Sequence, residues 1–424
     1  MLRSSHDCAP PLRQTQHNAG MNAPAPTLPK PPSPDTPTPL LGGLTPRTFM
    51  RRHWQKKPLL IRNAVPGVQP PLDRAALFAL AGEEEVESRL IVQQRFAHAK
   101  TGSKAAKAPS ADWSLQHGPF ARRALPPLQQ PGWTLLVQGL DLHVPAAHDL
   151  LQQFRFVPDA RLDDLMISYA TEGGGVGPHY DSYDVFLLQV HGQRRWRVGR
   201  LKDDSLQPDV PLKILSHFEP EHEYLLEPGD MLYLPPMWAH DGIAQGECMT
   251  CSIGFRVPEA TELAREVLVR FVEEIDSDAP RRLYRDPKQD ATETPGLIPG
   301  TLEDFAAEAI ERLLKDRDGL RSALGEILTE PKPRVWFDAA ARRLAKGQGV
   351  TLAPGSLLLY DDDHLYFNGE SFRVGGRDAK LLRQLADERC LSGAQCTRLS
   401  TAARQALQGW LEEGWLLPGC KEGD

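Results

Sequence analysis

The sequence predicts an α+β protein: a β sandwich or barrel, then a helical region, then a small closing module of strands and helices. Three observations predict it. Between Leu165 and Val257 short apolar runs, MISYA, DVFLLQV, RWRV, DMLYL and CSIGF, are separated by Gly, Pro and Asp, as in a system of many short strands. After Pro258 the apolar period becomes 3.6, with Leu263, Val267, Leu268, Phe271 and Ile275 on one stripe. The end of the chain holds a hairpin-like run, SLLLYDDDHLYFNGESFRV, then helical segments near Ala379 to Arg389 and Ala402 to Glu412, a winged-helix-like combination.

Length and composition bound these units. At about 150 residues per domain, 424 residues make two to four units. A chain that is 41% hydrophobic and 25% charged can bury a core. No run approaches the roughly 18 apolar residues of a membrane span, and the first twenty residues lack the apolar block of a secretory signal, so a cytoplasmic protein with no membrane partner is expected. Six scattered cysteines read as reduced thiols. A net charge of −7 removes the general attraction to nucleic acid.

Residues 1–40 hold ten of the 38 prolines and almost no aliphatic periodicity, which predicts a disordered tail. The globular part runs over 41–257. It opens with TPRTFMRRHWQKKPLLIRNAV, a short helix carrying Phe49 and Trp54 followed by a strand at Leu59 to Ile61. A helix near Leu72 to Ala81 and a strand over Trp133 to Gln138 come next. The helical region spans 258–345. Its second long helix starts at Thr301, with Thr301 and Asp304 as a capping-box-like pair. Its apolar stripes exceed what a linker needs and predict a homodimer. The winged-helix-like module covers 346–424. From Val350 to Asp424 eight Lys or Arg face eleven Asp or Glu, which favours a scaffold or protein contact over direct DNA binding.

The chemistry concentrates in GPHYDSYDVFLLQVHGQRRWRVG and, some sixty residues on, EPGDMLYLPPMWAHDG. His179 and Asp181 are two apart where a strand begins and leave the same face. His240, after a PGD turn, an apolar strand and a Pro-Pro break, supplies a third ligand at the mouth of the barrel. Two histidines and one carboxylate with open positions form the donor set of non-haem Fe(II) oxygenases. A metal that must accept a bidentate cosubstrate and dioxygen needs three free positions, and three protein ligands leave them. In the strand Gln193 to Val198, Arg194 shares the interior face with Trp196 and Val198. An inward arginine is costly unless an anion meets it, and the distal carboxylate of a keto acid would do so.

These residues resemble the JmjC-type 2-oxoglutarate oxygenases, most closely the bacterial ribosomal oxygenases that hydroxylate an arginine of a large-subunit ribosomal protein. The resemblance spans Thr45 to Pro418. It rests on WQKKPLLIRNA, SYATEGGGVGPHYDSYDVFLLQVHGQRRWRVG, EPGDMLYLPPMWAHDG and the closing SIGFRVP. It implies a double-stranded β-helix catalytic core of the jelly-roll, cupin type, a helical dimerisation region and a C-terminal winged helix. It also implies His179, Asp181 and His240 as Fe(II) ligands and Arg194 as the residue binding 2-oxoglutarate, in a protein arginine 3-hydroxylase reaction that turns the keto acid into succinate.

Substrate recognition is expected at Glu172, in a glycine-rich loop that lets a peptide approach beside a carboxylate, with Tyr183 and Asp184 as further candidates. The Cys248 and Cys251 pair reads as core, because a strand sends the two thiols to opposite faces. The acids Asp361 to Asp363 read as a solvated turn. Two alternatives stand beside the hydroxylase: an oxygenase of another protein or of RNA, and a cupin-type ligand-sensing regulator coupled to a C-terminal wing.

Overall fold

The computed structural model describes residues 31–93, 113–273, 282–345 and 347–419. Within the predicted tail, residues 1–30 lie outside this set, whereas 33–40 are ordered. Asp35 pairs with Arg47, Thr38 caps the single turn Pro39–Leu41, and Leu40 and Leu41 are buried. These apolar contacts place the start of the globular part earlier than residue 41.

Helix α1 (Pro46–Arg52) starts where the Thr45 side chain accepts from Thr48 N with Pro46 in the first turn, and α2 (Arg74–Leu80) starts under the Asp73 cap. Nine strands then form one antiparallel sheet system: β1 (Leu59–Ile61), β2 (Ser88–Gln93), β3 (Trp113–His117), β4 (Trp133–Val137), β5 (Leu162–Ala170), β6 (Val185–Arg200), β7 (His222–Leu226), β8 (Met231–Leu234) and β9 (Trp238–Phe255). Short helices α3 (Leu140–His143) and α4 (Pro145–Gln152) connect β4 to β5.

The two separate runs DVFLLQV and RWRV are one strand. β6 pairs with β9 from Val185↔Gly254 to Arg200↔Trp238, and the register shifts between Gln189 and Gln193. The shift bends both strands, so one pair contributes to both walls of a jelly roll, the double-stranded β-helix. One face of β5 (Leu165, Ile167, Tyr169) packs into an aromatic-rich core with Phe49, Phe154, Phe186, Tyr233 and Phe255. The alternate residues Asp164, Met166, Ser168 and Ala170 face the inside of the roll. Cys248 and Cys251 are both buried, in different clusters.

The helical region contains α5 (Ala260–Glu273), α6 (Gly300–Leu314) and α7 (Arg317–Thr329). Of the described residues on the α5 stripe only Phe271 is buried, and Ile275 lies outside the description. The expected cap at Thr301 does not form. α6 starts one residue earlier with no side-chain cap, and the Thr301 hydroxyl instead pairs with Tyr284 at 2.6 Å.

The closing module holds β10 (Val350–Leu352), β11 (Leu358–Tyr360), β12 (His364–Phe367), β13 (Glu370–Arg373), α8 (Gly376–Glu388), β14 (Cys390–Leu391), α9 (Gly393–Arg398), α10 (Thr401–Glu412) and β15 (Leu416–Pro418). The expected hairpin is a three-stranded meander, β11-β12-β13. Asp361 makes its tight turn, accepting from the amides of Asp363 and His364. α7 packs on this meander: Gly325 lies against the Tyr366 ring and Gly369 N donates to Thr329 Oγ1 at 3.1 Å. Arg155 ties the roll to the module, pairing with Asp159 and donating to the carbonyls of Ala386 and Asp387.

In an open helix Gly→Ala gains about 1 kcal/mol. At Gly325 the added carbon would lie 2.3 Å from the Tyr366 ring, so the sign reverses. Gly325→Ala is expected to destabilise by about 1–3 kcal/mol in urea unfolding, and a stabilised variant would show that α7 does not press on β12.

Candidate metal centre

His240 is the third residue of β9, and His179 lies in the loop before β6. The two are joined by an isolated antiparallel bridge: His179 N donates to His240 O at 3.0 Å and His240 N to His179 O at 2.8 Å. The doubly bonded pair sets the rings 4.2 Å apart between centroids. Each Nδ1 faces a carbonyl, His179 that of Gly177 at 2.9 Å and His240 that of Trp238 at 3.0 Å. A carbonyl only accepts, so Nδ1 carries the proton and Nε2 keeps its lone pair for a metal.

Asp181 Oδ2 lies 3.7 Å from His240 Nε2, and donor atoms of all three residues fall within 4.8 Å of one another. The structure therefore gathers the three ligands named from the sequence. Asp181 is tied from behind by Met237 N, which donates to its carbonyl at 2.8 Å. Burial, helped by the neighbouring His179, lowers the His240 pKa to about 4, with Asp181 pulling the other way. The ring is thus neutral and ready to ligate at neutral pH.

Arg194 is 4% exposed on the inner face of β6. Its Nη1 donates to Ser168 Oγ at 2.9 Å and Thr250 Oγ1 at 3.3 Å, and its Nε has no partner. The guanidinium sits 5.3 Å from the Trp196 ring, and no carboxylate of the described residues pairs with it. Sequence reasoning missed Ser168, Thr250 and Gln189, whose Oε1 accepts from Thr250 Oγ1 at 2.9 Å. Their signal was available: each is a polar residue within an otherwise apolar strand, in phase with the inner face.

The substrate candidates separate. Asp184 is fully buried, with Oδ1 accepting from Tyr233 OH at 2.5 Å, Oδ2 from Gln55 Nε2 at 3.2 Å, and Arg161 at 3.8 Å. This corrects the expectation, because both oxygens are engaged in the core and none faces a peptide. Tyr183 is 40% exposed, and burial of its hydroxyl together with the Asp181 and Asp164 carboxylates pushes its pKa up. Glu172 is exposed and folded back, accepting from Gly246 N at 2.5 Å. The glycine run after it serves the sheet's own packing, with Gly174 and Gly175 pressed on the carbonyls of Trp133 and Gly242.

Two imidazoles and one carboxylate suit Fe(II), and an uncompensated buried guanidinium suits the far carboxylate of 2-oxoglutarate, so the residues present fit both. Fold and site together define a JmjC-type, Fe(II)- and 2-oxoglutarate-dependent oxygenase. A JmjC domain model matches residues 149–263 and a ROXA-like winged helix model residues 312–417. The chain is 33% identical over 345 residues to the ribosomal protein uL16 3-hydroxylase of Escherichia coli, covering 78% of this chain and 86% of that protein. It is 29% identical to a probable ribosomal oxygenase of Haemophilus influenzae over 88% and 96% of the two chains. The crystal structure of Escherichia coli YcfD superposes with a TM-score of 0.74 at 28% identity over 88% of this chain and 97% of that one. The YcfD complex with cobalt and 2-oxoglutarate gives 0.69 at 28% identity over 88% and 98%. The chain belongs to the ribosomal oxygenase family of JmjC proteins.

Two outcomes test this site. The low folded pKa of His240, against about 6.5 unfolded, means that the metal-free protein loses stability as pH falls from about 6.5 to about 4. His240→Asn should flatten the urea midpoint over that window, and an unchanged slope would show His240 to be solvated. At Gly242 an added carbon would lie 2.7 Å from Trp196 and 3.0 Å from Arg194 Nε. Gly242→Ala is expected to raise the KM for 2-oxoglutarate about tenfold or more by displacing the guanidinium, and an unchanged KM would place the keto acid elsewhere.

Proposed function

We propose that the protein hydroxylates an arginine side chain of a large-subunit ribosomal protein, using Fe(II), 2-oxoglutarate and dioxygen. The observation that carries the reading is Arg194, a buried guanidinium lacking a counter-ion, on the same strand pair as His240, to which the His179 segment is bridged. The substrate class is supported by the named activity of the Escherichia coli relative. When bound, the metal, keto acid and dioxygen supply the oxidising power to hydroxylate an unactivated carbon, and the keto acid leaves as succinate. The chain supplies the rest. His179, Asp181 and His240 would hold the ion, leaving positions for cosubstrate and dioxygen. Arg194, steadied by Ser168 and Thr250 and buried beside Trp196, would fix the keto acid's far end.

Glu172 and Tyr183 are the residues this reading sets toward the substrate, since both are exposed on segments flanking the ligands His179 and Asp181. A ribosomal substrate implies a cytoplasmic protein, and among the described residues no helix is long and apolar enough to cross a membrane. The reading includes a homodimer through α5 and α6, whose Leu268, Val269, Val272, Ile310, Leu313 and Leu314 are exposed.

Ribosomal proteins incubated with the enzyme, Fe(II) and 2-oxoglutarate should show one large-subunit protein gaining the mass of one oxygen atom, with matching succinate. Asp181→Ala should give neither. Succinate formation with no ribosomal mass gain would move the substrate elsewhere, and light scattering at the mass of a single chain would remove the dimer.

A further inference from the structure

Arg194 is one charge on the inner face of the roll with no opposite charge against it. Asp164 is another. It stands four residues from Ser168 on the same face of β5, about 13 Å along the strand from the Arg194 end. It is 7% exposed, and its Oδ2 accepts from two neutral donors, Gln138 Nε2 at 2.7 Å and Gly139 N at 2.9 Å. The nearby cations are committed elsewhere. Lys332 sits on Asp163 at 2.6 Å, Arg256 lies 3.4 Å from Asp163, and Arg89 donates to Gln138 Oε1 at 3.2 Å. Gln138 therefore spans from Arg89 to Asp164 while keeping the two charges apart. Burial pushes the Asp164 carboxyl above its usual range, and Lys332 offsets this only in part. A buried carboxylate without a contacting cation is a costly arrangement, as a buried guanidinium without an anion is at the other end.

Asp164 lines a cavity of about 920 Å³ at the end of the roll where β2 and β5 begin and β4 and β9 finish. Glu85, Glu87 and Asp141 line the same space, as do cations that include Arg155, Arg256 and Lys332, each engaged with an acid or a carbonyl. Two further lining side chains, each more than nine-tenths buried, have unpartnered atoms: Gln152 Oε1 and His148 Nδ1. Burial, with Arg389 and Arg155 nearby, lowers the His148 pKa to about 3, so its ring is neutral and keeps an accepting nitrogen. An amide oxygen and a neutral imidazole lacking donors, beside a carboxylate lacking a cation, ask for a donor-rich positive group. Arg389, which follows α8 in the closing module, also lines the cavity and is committed to the carbonyls of Ala353 and Ser356.

We propose that this cavity binds a cationic side chain of the polypeptide substrate, with the Asp164 carboxylate as its counter-charge. The identity of the polypeptide rests on the hydroxylase reading, while the preference for a cation is a property of the cavity itself. Asp164 is thus a specificity-determining residue outside the metal set, and it selects basic segments before chemistry.

The test uses the full chain and two decapeptides of alternating arginine and glycine, one with every arginine replaced by citrulline, which keeps the shape and removes the charge. Isothermal titration should show the arginine peptide binding wild type at least about tenfold tighter than its twin. Asp164→Asn keeps an oxygen for the Gln138 and Gly139 donors, so it should fold with an unchanged melting midpoint and bring the two affinities within about twofold. Equal binding of both peptides to wild type overturns the proposal without any variant, and so does a folded Asp164→Asn that keeps the arginine preference. A charge preference that depends on Asp164 in an enzyme that hydroxylates no ribosomal protein would sink the proposed substrate and leave this site standing.

Discussion

The functional part of the molecule depends on the register between β6 and β9. Val198 faces His240 and Arg194 faces Ala244, so a ring of the candidate metal centre and the buried guanidinium lie four residues apart along one inner surface. Successive residues of a strand point to opposite faces, and a slip of one position would send His240 and Arg194 outward together. His179 joins this frame by its paired backbone bonds to His240 rather than by its own strand, and Asp181 follows because its carbonyl is held by Met237. The metal set is thus three side chains hung from one ladder and the loop bonded to it.

The same strand treats its arginines in two ways, and the contrast explains what an inner surface is for. Arg195 and Arg197 point outward and are neutralised by Glu223 and Asp241. Arg194, one position away, receives hydroxyls. Ser168 and Thr250 accept from its Nη1 without cancelling its charge, and Gln189 fixes the Thr250 hydroxyl so that its lone pair faces the guanidinium. A carboxylate in that place would be a stronger partner and would leave nothing for an anionic cosubstrate to gain.

The modules meet around the ends of the strands. Arg155 reaches the carbonyls that end α8, Lys332 and Arg256 converge on Asp163, and α7 rests on β12 although it precedes the module by sequence. The winged-helix match begins at residue 312, well before the boundary at 346 that composition suggests. A helix's allegiance is set by which face it buries, and a sequence shows that a stripe exists without showing what lies opposite.

The sequence by itself determined the local matters. Short apolar runs named the strands, while the one cap read from the sequence, at Thr301, does not form. The histidine and carboxylate spacing, with an inward arginine, defined the metal and cosubstrate chemistry, because those signals lie within a few residues of one another or within a single strand. It read Asp184 as facing a substrate and the glycine run as a peptide platform. Both depend on partners far along the chain, Tyr233 and Gln55 for the acid and the carbonyls of Trp133 and Gly242 for the glycines. The tertiary structure alone decided that DVFLLQV and RWRV are one bent strand, that Ser168 and Thr250 cradle Arg194, and that Asp164 is left without a cation. Such outcomes follow from which distant residues share a face after the sheet closes, and no local pattern encodes that pairing.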